Sequence, residues 1–149
     1  MFPARLWIYV ALAILLALGI ILSAGNPAAT REETSSLLDT GTTTLGQKFS
    51  YPVKAPARVT AAIITMQPGA QTGWHQHDVP MFGYMLEGEI TVDYGKSGTR
   101  TYRKGDALME AIDVVHDGRN TGSGVARILA VFMGAEGVPD TVMETVAPQ

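Results

Sequence analysis

The sequence predicts an all-β domain, a sandwich or barrel of short strands, preceded by one N-terminal apolar helix. Three observations lead there. Turn signals recur about every ten residues after residue 36. Between them, β-branched and aromatic residues alternate with polar ones, and no helical period of useful length competes. One long apolar run stands apart from all of this, at the very start of the chain.

That run is Leu6 to Leu22, "LWIYVALAILLALGIIL", with Arg5 before it and "SAG" at 23–25 after it. At ~1.5 Å per residue, a helix over this stretch approaches the ~30 Å of a bilayer core. Residues 1–25 are therefore expected to be a transmembrane anchor or a signal peptide. The small residues at 23–25 suit cleavage, and the length of the run suits an anchor. Arg5 lies on one side, and Arg31 on the other stands beside Glu32 and Glu33, which puts the N-terminus inside and the domain outside. Either reading exports the domain to the extracytoplasmic (periplasmic) side. Residues 26–36 are small and polar and read as a flexible tether.

The domain proper is expected over 37–149. "RVTAAIITMQPG" (58–69) is a β-branched run closed by Pro68-Gly69. "MFGYMLEGEITVDYG" (81–95) reads as two strands around Glu87-Gly88, a hairpin signal. In its second half Ile90, Val92 and Tyr94 alternate with Glu89, Thr91 and Asp93. "GKSG" (95–98) is a turn. "TRTYRKGDALMEA" (99–111) gives a polar strand, a turn at Lys104-Gly105-Asp106 and another strand. "VARILAVFMG" (125–134) is a closing strand between glycines.

Composition excludes several kinds of chemistry. The chain has no cysteine, so thiolate ligands, disulfides and Cys nucleophiles are absent. Net charge is −3 with no basic stripe, which gives no reason to expect nucleic acid. No phosphate loop, Gly-x-Ser-x-Gly elbow or His-Glu-x-x-His pair is present.

The chemistry lies in the histidines, of which there are three. His75 and His77 sit in "GWHQHD", and His116 sits in "DVVHDGRN". On a strand, residues two apart point to one face. A third imidazole from a neighbouring strand would complete three ligands on one side of a metal ion, leaving positions for water or substrate.

The spacing has a further meaning. The first segment runs Gly69, five residues, His75-x-His77, then Met81 through to Gly88. The second runs Gly105, five residues, Ala111-x-Asp113-x-x-His116-x-x-x-Asn120. These resemble the two motifs of the cupin superfamily, Gly-x5-His-x-His-x3,4-Glu-x6-Gly and Gly-x5-Pro-x-Gly-x-x-His-x3-Asn. The resemblance covers about residues 58–133. It implies a small jelly-roll β-barrel binding a divalent metal (iron, manganese, nickel, zinc or copper) through His75, His77 and His116. The family's glutamate falls here on Met81, its proline on Ala111 and its glycine on Asp113. Met81 would act as an apolar wall or a weak thioether ligand, and Glu110 or Asp113 is available as a replacement carboxylate. Trp74, Phe82, Tyr84 and Met85 fill the core or line the pocket; Met81, Tyr84, Trp74 and Asn120 are its named neighbours. Asn120 is also expected to fix the turn after its strand.

Two functions fit these expectations. One is a metalloenzyme of dioxygenase, isomerase or lyase type acting on a small molecule. The other is a non-catalytic ligand-binding barrel at the membrane surface. By resemblance, two barrels are expected to pair as a homodimer.

Overall fold

The structure, a computed structural model, describes residues 34–53 and 55–147. The expected apolar helix lies outside the described residues. Among the described residues no helix is long and apolar enough to cross a membrane.

Nine strands form the described part: β1 (Ala57–Met66), β2 (His75–Gln76), β3 (Met81–Glu87), β4 (Glu89–Asp93), β5 (Thr99–Arg103), β6 (Ala107–Met109), β7 (Asp117–Arg119), β8 (Ala126–Ala135) and β9 (Val142–Met143). The domain is all-β, as the alternation predicts. One antiparallel sheet has the order β1-β8-β3-β6 and a second has the order β5-β4-β7. β2 pairs with β9, and single bridges tie Gln71 to Arg119 of β7 and His75 of β2 to His116, the residue just before β7. The strand through 58–69 and the closing strand are partners. β1 and β8 pair over ten residues, from Ala57 opposite Ala135 to Met66 opposite Ala126.

The two sheets share one core. Met66, Met85, Leu108 and Ile128 from the first pack with Ile90, Val92 and Tyr102 from the second and with Tyr94, just past the end of β4. On β4 the predicted period holds, since Ile90 and Val92 are buried and their neighbours are less so. A second cluster, Val79, Met81, Ala130 and Phe132, extends the interior towards the histidines.

The hairpin expected at Glu87-Gly88 is corrected. β3 and β4 follow each other directly but belong to different sheets. The chain crosses from one sheet to the other at Gly88, where φ is 73°. Period two looks the same on both sides of a hairpin and of a crossing, so the sequence pattern does not separate them. A Cβ at Gly88 would lie 2.5 Å from the Val125 carbonyl oxygen, which leaves room for glycine alone.

Candidate metal centre

Backbone pairing brings the first and third histidines together. His75 N–H donates to the His116 carbonyl at 2.9 Å, and His116 N–H donates to the His75 carbonyl at 2.8 Å. This mutual exchange is the hydrogen-bonded pair of an antiparallel ladder. It fixes two residues 41 positions apart side by side. His77 follows two residues on, and its carbonyl accepts from Asp113 N–H at 3.0 Å. The three rings stand 4.4 Å (His75 to His116), 5.0 Å (His75 to His77) and 5.1 Å (His77 to His116) apart, centre to centre. One nitrogen from each lies within 4.8 Å of the others, and all three residues are buried.

Hydrogen bonds set the tautomers. Nδ1 of His75 is 2.7 Å from the Gly73 carbonyl oxygen, Nδ1 of His77 is 2.9 Å from that of Asp140, and Nδ1 of His116 is 2.7 Å from that of Val114. A carbonyl oxygen only accepts, so each Nδ1 carries the hydrogen. Each Nε2 then keeps its lone pair. This is the arrangement in which an outer partner orients a metal-ligating imidazole. The donor set fits a divalent transition ion, since imidazole nitrogen suits zinc, copper, iron and nickel.

Burial keeps the rings neutral. Desolvation is the first cause that lowers the pKa of all three, and for His77 it reaches about 4. In each case the carbonyl partner opposes the shift without cancelling it. The consequence for stability follows from proton counting. Between pH 6.5 and about 4 the unfolded chain takes up protons that the folded His77 refuses. Stability of the metal-free protein should therefore fall as the pH drops through this window, with His77 alone contributing a loss of up to about 3 kcal/mol. Glu110 is shifted up by burial and works in the opposite sense, so the fall is read in Glu110→Gln, which removes that group. Urea midpoints of this variant between pH 7 and pH 4 check it; a flat or rising profile contradicts it.

The rings open onto a cavity of about 260 Å³. Ile64, Met66, Ile90, Val92, Ile128 and Phe132 make its wall largely apolar, and Thr72, Thr141 and Glu110 add polar points. Met81 lines the cavity from within the apolar cluster of Val79 and Phe132. Glu110 is 3% exposed on the same wall, but it is not in the group whose ligand atoms converge with the histidines. Asp113 is exposed and stands at φ 55°, the left-handed conformation that the family motif serves with glycine.

Trp74, Tyr84 and Asn120 are not among the residues that line the cavity. On β3 the inward positions are Met81, Gly83 and Met85, so Tyr84 belongs to the other face. Trp74 lies between the histidine pair and Gly73, half-buried, with its carbonyl taken by Glu144 N–H. Asn120 is 1% exposed and holds the turn, donating from Nδ2 to the Met66 and Gly124 carbonyls and accepting from Gly122 N–H. Sequence reasoning missed Asp140 and Thr141, which meet His77 Nδ1 at 2.9 Å and 3.3 Å. No periodicity marks them.

Comparison with known proteins agrees with this architecture. Residues 62–132 match the cupin domain family. No curated protein matches the chain. Among solved structures, the oxalate decarboxylase of Lactobacillus farciminis, crystallised with formate, is similar at 24% identity and a TM-score of 0.50, over 57% of this chain and 26% of that one. The DMSP lyase DddQ of Ruegeria pomeroyi is similar at 20% identity and a TM-score of 0.52, over 61% of this chain and 45% of the lyase. The chain thus spans about a quarter of the decarboxylase and less than half of the lyase. These likenesses establish the fold alone, and the domain match over residues 62–132 points to the cupin family.

Proposed function

We propose that this chain binds one divalent metal ion through Nε2 of His75, His77 and His116 and acts there on a small molecule. The observation that carries the reading is the state of the three Nδ1 atoms. Each is held by a backbone carbonyl, and that leaves three lone pairs beside one cavity. The ion would supply Lewis acidity next to an apolar wall. The cavity is below the ~300–1,000 Å³ usual for drug-sized ligands, so the ligand is small. Its body meets apolar side chains, and its polar end meets the histidines and Glu110. A decarboxylase and a lyase share the fold, so reactions on small organic acids are the first to assay. Export, drawn from residues 6–22 alone, and pairing of two barrels belong to this proposal.

A ligand-binding barrel without turnover is the second reading. It draws on Met81, which stands where the family motif has a carboxylate. Three neutral imidazoles leave the ion its full charge and hold it less firmly. The substitution Met81→Glu should therefore tighten zinc binding by about tenfold or more, because affinity rises with ligand charge. It should also destabilise the metal-free protein, since an ionised group enters an apolar wall. Calorimetric zinc titration reads the first effect, and unchanged affinity would contradict it.

The test of the main reading is metal analysis of the purified full-length chain beside a His75→Ala, His77→Ala variant. One equivalent of metal, lost in the variant, is expected. Metal that is absent after zinc or manganese is supplied, or unchanged in the variant, overturns the reading.

A further inference from the structure

Glu110 is the only carboxyl among the described residues that line the cavity. Its Oε1 accepts two hydrogen bonds, from the Tyr94 hydroxyl at 2.6 Å and from the Ala111 amide at 2.7 Å. Its Oε2 takes part in no hydrogen bond among the described residues. Since no buried polar atom there lacks a partner, Oε2 opens into the cavity.

A row of hydroxyls continues behind Tyr94. The Tyr102 hydroxyl is 3.4 Å from that of Tyr94, and the Thr44 hydroxyl is 2.6 Å from that of Tyr102. Tyr94 is 2% exposed and Thr44 is half-buried, so the row leads from the cavity wall towards the surface. Thr44 is held in place by its own backbone, whose N–H donates to the Met109 carbonyl at 2.7 Å.

Counting donors orients the row. Each hydroxyl has one hydrogen to donate. Tyr94 gives its hydrogen to Glu110, so its oxygen can only accept from Tyr102. Tyr102 then has none for Thr44, and Thr44 must donate to Tyr102. Every hydroxyl hydrogen points inward, towards the carboxyl.

We propose that Thr44, Tyr102, Tyr94 and Glu110 form a proton relay between the surface and the metal cavity, with Glu110 as the group that exchanges a proton with the bound ligand. The proposal rests on the cavity being the ligand site. The transfer balances. Water gives a proton to Thr44, each hydroxyl passes its own inward and takes the next, and Glu110 gains one at Oε1 for each it releases from Oε2. Rotation of the hydroxyls, with a half-turn of the Glu110 carboxyl that carries the new proton to the cavity side, resets the row. No member needs to ionise fully along the way, which suits tyrosines that burial holds firmly neutral. The relay gives the carboxyl a route to solvent that does not pass through the cavity mouth. The row restores the proton of the carboxyl from behind. The contact between the two tyrosines is the longest and is the step at which the relay is cut most cleanly.

The experiment follows the exchange with water of the Tyr94 hydroxyl hydrogen by proton NMR, in metal-free full-length protein. In Tyr102→Phe the exchange should slow by about tenfold or more, because it then waits for local opening. The Nδ1 hydrogens of the three histidines should keep their shifts, which shows that the fold is intact. Thr44→Val cuts the row at its outer end without touching the core, and it carries the same expectation should Tyr102→Phe fold poorly. Exchange at the wild-type rate in a folded variant overturns the relay, for protons then arrive through the cavity mouth. Zinc titration of the wild type is read separately, so failure of the metal site and failure of the relay are distinguished.

Discussion

Replacing His116 with alanine should abolish stoichiometric metal binding while the domain still folds. Its imidazole supplies one of three nitrogens, and its Nδ1 is already committed to the Val114 carbonyl. The contact that joins it to His75 uses backbone atoms, and alanine keeps both of them. Loss of a group that hydrogen-bonds a metal-ligating imidazole costs about 10–100-fold in metal affinity, and loss of a ligand in a set of three should exceed about 100-fold. Circular dichroism should be unchanged. Tyr84→Phe is the matched control: that ring lies on the other face of β3 and should leave affinity as it is. Zinc affinity in His116→Ala within a few-fold of the wild type would remove this residue from the site.

Gly88→Ala should be the most damaging single methyl in the domain. The new Cβ would meet backbone, the Val125 oxygen at 2.5 Å and the Ala126 Cα at 2.8 Å, and neither can rotate aside. The residue also sits at φ 73°, which an L side chain adopts at a cost of about 1–2 kcal/mol. Overpacking adds about 1–3 kcal/mol. A total near 3 kcal/mol lowers the melting temperature by about 10 °C in a domain of this size. Gly105→Ala isolates the conformational part. Its φ is 95°, but nothing lies within 4 Å of the new Cβ, so it should cost only the backbone strain. Equal melting temperatures for the two variants would refute the close packing of the sheet crossing against β8.

The strands were legible because their side chains answer to two different neighbours. Ile90 and Val92 meet the core while Thr91 and Asp93 do not, and that difference is written as period two. The histidines were legible through their motif spacing, although only His75 lies on a strand and His116 joins it by a single bridge. What lay beyond reach depends on pairing rather than on pattern. β9 is a two-residue strand and has no period to read. Asp140 meets His77 through a carbonyl that every residue possesses, so its type gives no hint. Asn120 is near His116 in sequence, yet its side chain turns to Met66 and Gly124. Tyr84 carries a hydroxyl suited to a ligand, but the alternation that buries Met81 and Met85 turns it the other way. The mutual backbone exchange between His75 and His116 appears only in the folded chain, and it is the contact that assembles the site.

The sharpest check is nitrogen-15 NMR of the imidazoles, before and after one equivalent of zinc. In the metal-free protein near neutral pH, all three rings should be neutral and hold their hydrogen on Nδ1. Zinc should then shift Nε2 of His75, His77 and His116 together and leave each Nδ1 hydrogen in place. A ring that carries its hydrogen on Nε2, or a His116 signal that ignores the metal, would contradict the three-imidazole centre.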